Sequence, residues 1–197
     1  AKLYRFLIML LLFLGAVAYL AMTKPYVVGR FSSYLNPWAA ENVFSGSYQL
    51  TQALIAFGRG EWMGVGLGNS IQKLYFLPEA HNDFVLAIVG EELGLIGVSL
   101  IDMLFCALVF MAFSIGKDAE KKGAVFEAFV AYGIGLLFAG QAMVNIGVNT
   151  GLLPTKGLTL PFLSYGGASL IVSFFMAALL LRVQYEIERP RIEEKLI

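Results

Sequence analysis

The chain of 197 residues is 58% hydrophobic and only 14% charged, with no net charge and a mean hydropathy of +0.74. A soluble domain carries about 25% charged residues, so this is the composition of an integral membrane protein. It excludes a nucleic-acid binder, which needs a basic run or patch, and the single Cys106 excludes a disulfide framework or a cysteine-based zinc site.

The first predicted element is an apolar run from Leu3 to Met22, free of charge after Arg5 and close to the ~20 residues that cross a bilayer. It is too long for a secretory signal and no small-residue cleavage site follows, so the opening Ala1 reads as the start of a trimmed chain. Residues 23–83 form a long, more polar loop rich in Gly, Pro and aromatics. Within it Leu50, Ala53, Leu54 and Phe57 recur at helical spacing after Ser47, an N-cap residue type. This predicts a short helix along the membrane surface, with Trp38, Tyr48 and Trp62 as interfacial anchors. The glycines of Gly64-Val65-Gly66-Leu67-Gly68 lack the spacing and strand context of a nucleotide loop.

A second span is expected from Phe84 to Phe113, then a short basic loop over Gly116 to Gly123 and a third span from Ala124 to Asn149. Gly151 to Pro161 is apolar yet broken by Pro and Gly, which suggests re-entrant, irregular backbone shielded from lipid. The fourth span runs from Ala168 to Arg182, and residues 183–197 are read as a charged tail. The fold class is thus all-α, a single polytopic membrane domain of about four spans.

Counting Lys and Arg places nine on one side of this arrangement and five on the other, four of the five in the long loop. The basic side is expected to be cytoplasmic. Asp83 and the Lys156 loop then share the outer face.

The stretch Leu77-Pro78-Glu79-Ala80-His81-Asn82-Asp83-Phe84 holds the only histidine and an acid at the mouth of a long apolar run. Carboxylates at the entry of a membrane helix are costly and usually mark a function, although Asp before an apolar run is also a common N-cap. His81 could orient Asp83 or make a structural hydrogen bond. Glu91 follows Asp83 by eight residues, ~80° around a continuous helix, and Asp102 follows Glu91 by eleven, within ~20° of one line. Glu91 divides evenly between a functional and a structural reading; ion pairs or hydrogen bonds to other helices suit Asp102 and Glu92. Gln141, Asn145 and Asn149 form an i, i+4, i+8 stripe of the kind that binds neighbouring helices. Lys156 is a cation in an apolar loop, able to meet phosphate as a point charge. Ser164, Gly166 and Gly167 precede a helix start, which suits either an anion held by backbone N–H groups or a plain cap.

Two motifs carry a resemblance. Leu77 to Phe84 with Gly90-Glu91-Glu92-Leu93-Gly94, and Leu153-Pro154-Thr155-Lys156-Gly157-Leu158-Thr159-Leu160-Pro161-Phe162 with Ser164-Tyr165-Gly166-Gly167, are similar to the large outer loop and the last outer loop of the SEDS family (shape, elongation, division and sporulation). The Thr-Lys-Gly version is closer to the division branch than to the elongation branch. The resemblance covers the C-terminal four of about ten helices. It implies a peptidoglycan glycosyltransferase that polymerises lipid II on the outer face of the bacterial cytoplasmic membrane, at the division septum. Asp83 matches the family's catalytic aspartate. Lys156, Glu91, His81, Ser164, Gly166 and Gly167 are the candidate substrate-binding residues. The implied partners are lipid II, the nascent glycan strand, membrane lipid, a class B penicillin-binding transpeptidase of the FtsI type and other division membrane proteins. A divalent cation, Mg or Mn, would suit the departing pyrophosphate, though no sequence pattern marks a site for it. The alternatives are a lipid II flippase and a scaffold without chemistry that recruits a transpeptidase.

Overall fold

A computed structural model describes residues 3–23, 34–43, 47–154 and 157–188. The described residues form helices, turns and irregular segments with no strand: α1 (Leu3–Thr23), α2 (Ala40–Val43), α3 (Tyr48–Gly60), a π-helical turn (Gln72–Phe76), α4 (Val85–Lys121), α5 (Val125–Asn149) and α6 (Gly167–Glu188). The chain divides into two compact units, Ala1–Thr51 and Gln52–Ile197.

In the first unit α1 has 21 residues, ~30 Å of helix, and the apolar side chains of Leu7–Ala16 are exposed. In the second unit α4, α5 and α6 are long and apolar enough to cross a membrane. Small residues let α4 and α5 approach closely: a Cβ on Gly135 would stand 3.1 Å from that of Ala112. Ala112, Ile134 and Phe138 join Met176 and Leu180 of α6 in one core. A second core packs Ala53 and Ala56 of α3 with Leu77, Ala80, Phe84 and Val148. That core seats the Leu77–Phe84 turn between α3, the start of α4 and the end of α5.

Several boundaries differ from the sequence reading. The second helix does not stop at Phe113, and the expected basic loop at 116–123 is helical as far as Lys121. Lys, Ala and Glu are good helix formers, and Lys121 pairs with Asp118 at 2.9 Å. Hydropathy marks where a chain can leave the bilayer, which is not where its helix must end. Likewise α6 continues through the predicted tail to Glu188, with Val183 still buried and Arg182 paired to Glu186. Residues 189–197 of that tail lie outside the described residues.

The largest departure is a break inside α4. Gly94 has φ 66° and ψ −165°, a conformation costly for any residue with a Cβ. The bonds that Leu95 and Ile96 would make to Glu91 and Glu92 are replaced. Leu95 N donates to Glu61 O at 2.9 Å and Ile96 N to Trp62 O at 3.2 Å. Val65 N and Gly66 N in turn donate to the carbonyls of Glu91 and Glu92, both at 3.0 Å. The 61–66 segment therefore takes up all four backbone groups that the break releases.

Candidate active site

The turn before α4 is built around one carbonyl. Glu79 has φ 56°, and its oxygen accepts the amides of Asn82, Asp83 and Phe84 at 3.0, 3.2 and 3.4 Å. Phe84 is buried at the head of α4, so Asp83 sits at the mouth of the helix.

Two buried amides of α5 fix that position. Asn145 Nδ2 and Asn149 Nδ2 each donate to the Asp83 carbonyl at 2.9 Å, and Asn149 Oδ1 accepts Ala87 N at 3.2 Å. Asn145 Nδ2 also donates to Leu158 O at 2.6 Å, which draws the 151–166 loop onto the same point. The asparagine stripe thus holds a helix entry and a loop together, a role only partly legible from its spacing.

The loop is irregular, as the Pro and Gly content predicts. Ser164 Oγ donates to Asn82 O at 2.6 Å and accepts Leu160 N at 2.7 Å, while Tyr165 N donates to His81 O at 2.8 Å. Gly157 lies against Asp83 so closely that an added Cβ would collide with Oδ2. The Asp83 side chain is half-buried. Burial, and then the neighbouring Glu79 charge, hold its carboxyl above the usual carboxylate range.

The other candidates divide by location. His81 is exposed, on the same turn as Asp83. Ser164 is buried with its hydroxyl bonded on both sides. Gly166 accepts Leu170 N at 2.8 Å and so opens α6, its own amide being donated to Ser164 O. Gly167 is exposed beside it, with open space where a Cβ would stand. Lys156 lies outside the described residues.

Glu91 is fully buried and enclosed by protein donors. Oε1 accepts Arg59 Nη1 at 2.7 Å and Ile71 N at 3.1 Å; Oε2 accepts Ser70 Oγ at 2.5 Å and Gln72 N at 3.2 Å. Glu92 takes Lys73 Nζ at 2.6 Å and Ser70 N at 3.3 Å. The expected angular stripe does not survive, because it requires a continuous helix and Gly94 interrupts α4 between Glu91 and Asp102. Both glutamates instead serve the 70–73 segment, and Glu91 caps the π-helical turn that leads into Asp83. Asp102 lies beyond the break in an apolar groove of about 840 Å³ between α4 and α5, with Oδ1 lacking a partner among the described residues. Among the described residues no three His, Cys, Asp or Glu side chains converge as a metal cage.

A helical membrane protein that fixes the backbone of one aspartate at a loop–helix junction, with a glycine close against its carboxylate, is the class these features define. Its family follows from comparison. A sequence model of the cell cycle protein family of FtsW, RodA and SpoVE matches residues 1–189, and the chain belongs to that family. It is 53% identical over 199 residues to a "Probable peptidoglycan glycosyltransferase FtsW" of Hahella chejuensis, covering 97% of this chain and 50% of the relative. Relatives of the same name from Halomonas elongata (52% over 191 residues; 97% and 48% covered) and Methylomonas methanica (54% over 187 residues; 95% and 48% covered) are similar. Among solved structures, a chain of a peptidoglycan synthase complex that coordinates polymerization and crosslinking superposes with a TM-score of 0.67 at 25% identity, covering 93% of this chain and 48% of that one. The chain spans about half the length of the curated relatives it matches.

Proposed function

We propose that the whole protein to which this chain belongs is a peptidoglycan glycosyltransferase that polymerises lipid II during cell division. The observation that carries the reading is Asp83: a half-buried carboxylate whose backbone is fixed by Asn145 and Asn149 and whose oxygen faces Gly157. Its position at a loop–helix junction suits attack by a substrate hydroxyl arriving from the membrane surface. The acceptor sugar oxygen bonds to the anomeric carbon, Asp83 takes its proton, and the lipid pyrophosphate departs with the electron pair of the broken bond. The tightly packed glycine leaves the carboxylate room to meet that hydroxyl.

Lys156, on the loop that Asn145 and Ser164 tie to the Asp83 turn, is proposed to hold the pyrophosphate as a point charge. The basic ends of the helices support an outward-facing Asp83 in the bacterial cytoplasmic membrane, and the likeness to a chain of a synthase complex supports a class B penicillin-binding transpeptidase as partner. Septal location goes with the division reading.

The test is polymerisation of labelled lipid II by the full-length protein with its partner. Asp83→Asn should abolish glycan strands, and near-wild-type yield would overturn the assignment. Lys156→Ala should weaken binding of lipid II more than of a carrier lacking the pyrophosphate, with part of the loss restored by Lys156→Arg. A cysteine at exposed Tyr165 should label from outside intact cells and one at Lys117 should not.

A further inference from the structure

We propose that Glu79 is a positioning residue for Asp83: its backbone closes the turn that presents Asp83, and its carboxylate, bonded through Asn82 to Ser164, ties that turn to the loop beside it. The inference rests on the reading of Asp83 as the proton acceptor.

The backbone comes first. A φ of 56° is uncommon for a residue with a Cβ and unfavourable without compensation. It turns the Glu79 carbonyl toward three consecutive amides, those of Asn82, Asp83 and Phe84. Without that carbonyl the amide of Asp83 would lose the acceptor it has here. Glycine would adopt this conformation without the steric cost. Strain kept at a turn carrying a reactive group points to work done by the side chain.

That side chain makes one directed bond. Asn82 Nδ2 donates to Glu79 Oε2 at 2.5 Å, and Asn82 O accepts Ser164 Oγ at 2.6 Å. Glu79, Asn82 and Ser164 therefore form a chain from the turn to the loop that presses Gly157 on Asp83. Displacing Glu79 would loosen the tie between the Asp83 turn and that loop.

Charge is the second contribution. Glu79 is exposed while Asp83 is half-buried, so their repulsion is screened yet remains the chief charge effect acting on Asp83 after burial. Among the described residues, His81 stands on the same turn and Tyr165 donates its amide to the His81 carbonyl, while the α5 side chains bonded to the Asp83 carbonyl are amides. A negative neighbour favours the protonated carboxyl, so neutralising Glu79 lets Asp83 lose its proton at lower pH.

The experiment is the pH dependence of lipid II polymerisation by the full-length protein with its transpeptidase, comparing wild type, Glu79→Gln, Glu79→Ala, Glu79→Gly and Asp83→Asn. Glu79→Gln keeps a hydrogen-bond acceptor without the charge. It should move the acid limb to lower pH, so that on that limb the variant keeps a larger share of its own plateau than wild type does. Glu79→Ala and Glu79→Gly lose the bond to Asn82 and should lower the plateau as well. An acid limb indifferent to Glu79→Gln would overturn the charge effect, and wild-type plateaus in the Ala and Gly variants would overturn the positioning role. A polymerising Asp83→Asn would instead remove the reading beneath both.

Discussion

Asn149 bridges the first turn of α4: its amide nitrogen donates to the carbonyl of Asp83 at 2.9 Å and its oxygen accepts the amide of Ala87 at 3.2 Å. One side chain from the end of α5 thus gives Asp83 O a donor and shares the Ala87 amide with Phe84 O, which takes the same amide at 3.0 Å. Asn149 and Asn145 are both buried, so neither they nor Asp83 O has water as a ready substitute.

Replacing either asparagine by Ala should therefore cost about 1–3 kcal/mol, the penalty of a buried polar group left unsatisfied. Because both amides meet at Asp83 O and at each other, the double variant should deviate from additivity by at least about 0.5 kcal/mol. Thermal unfolding in detergent measures both quantities, and additive losses would show that the two act separately.

Asp83 should trade stability for activity. Its folded carboxyl holds a proton more tightly than the unfolded chain, because burial and then Glu79 disfavour the charge. This group's contribution to stability is therefore fully present below the ordinary carboxylate range and is lost as pH rises through the raised value. Asp83→Asn, a neutral group of the same shape, should melt no lower than wild type at neutral pH while losing about 10²–10⁴ in polymerisation rate. In wild type the acid limb of the rate should lie above the ordinary carboxylate range, since the base must first lose its proton. Paired melting curves and pH–rate profiles check both.

Gly157→Ala tests the close approach. A Cβ at this position would meet Asp83 Oδ2 and displace the carboxylate. Turnover should fall by about 10²-fold, the usual effect of moving a reacting group by an ångström, with little change in melting temperature. Equal loss of rate and stability would indicate a packing role instead.

The Arg59–Glu91 pair separates anchoring from chemistry. Glu91→Ala strips four donors of their acceptor, Arg59, Ser70, Ile71 and Gln72, whereas Arg59→Ala removes one donor that is itself partly in solvent. Glu91→Ala should cost more than Arg59→Ala, which should lie within about 1–3 kcal/mol. Hydrogen exchange should rise over residues 61–76 in both, and faster exchange confined to α5 would contradict the anchoring role.

Much of this was legible along the chain. The apolar spans, the short helix after Ser47, the irregular loop after Asn149 and a carboxylate at a helix mouth all follow from hydropathy, spacing and turn residues. These are properties of neighbours within a few positions, and local chemistry decides them. The helix break at Gly94 was not legible, since its released amides and carbonyls are satisfied by residues about thirty positions earlier. For the same reason spacing could not show that Glu91 and Glu92 face residues 70–73, that Ser164 bonds Asn82, or that Asn145 joins Asp83 to Leu158. Buried polar groups in a mostly apolar chain must find partners wherever packing brings them. Which groups meet is settled by the arrangement of the helices in space, and only the tertiary structure decides it.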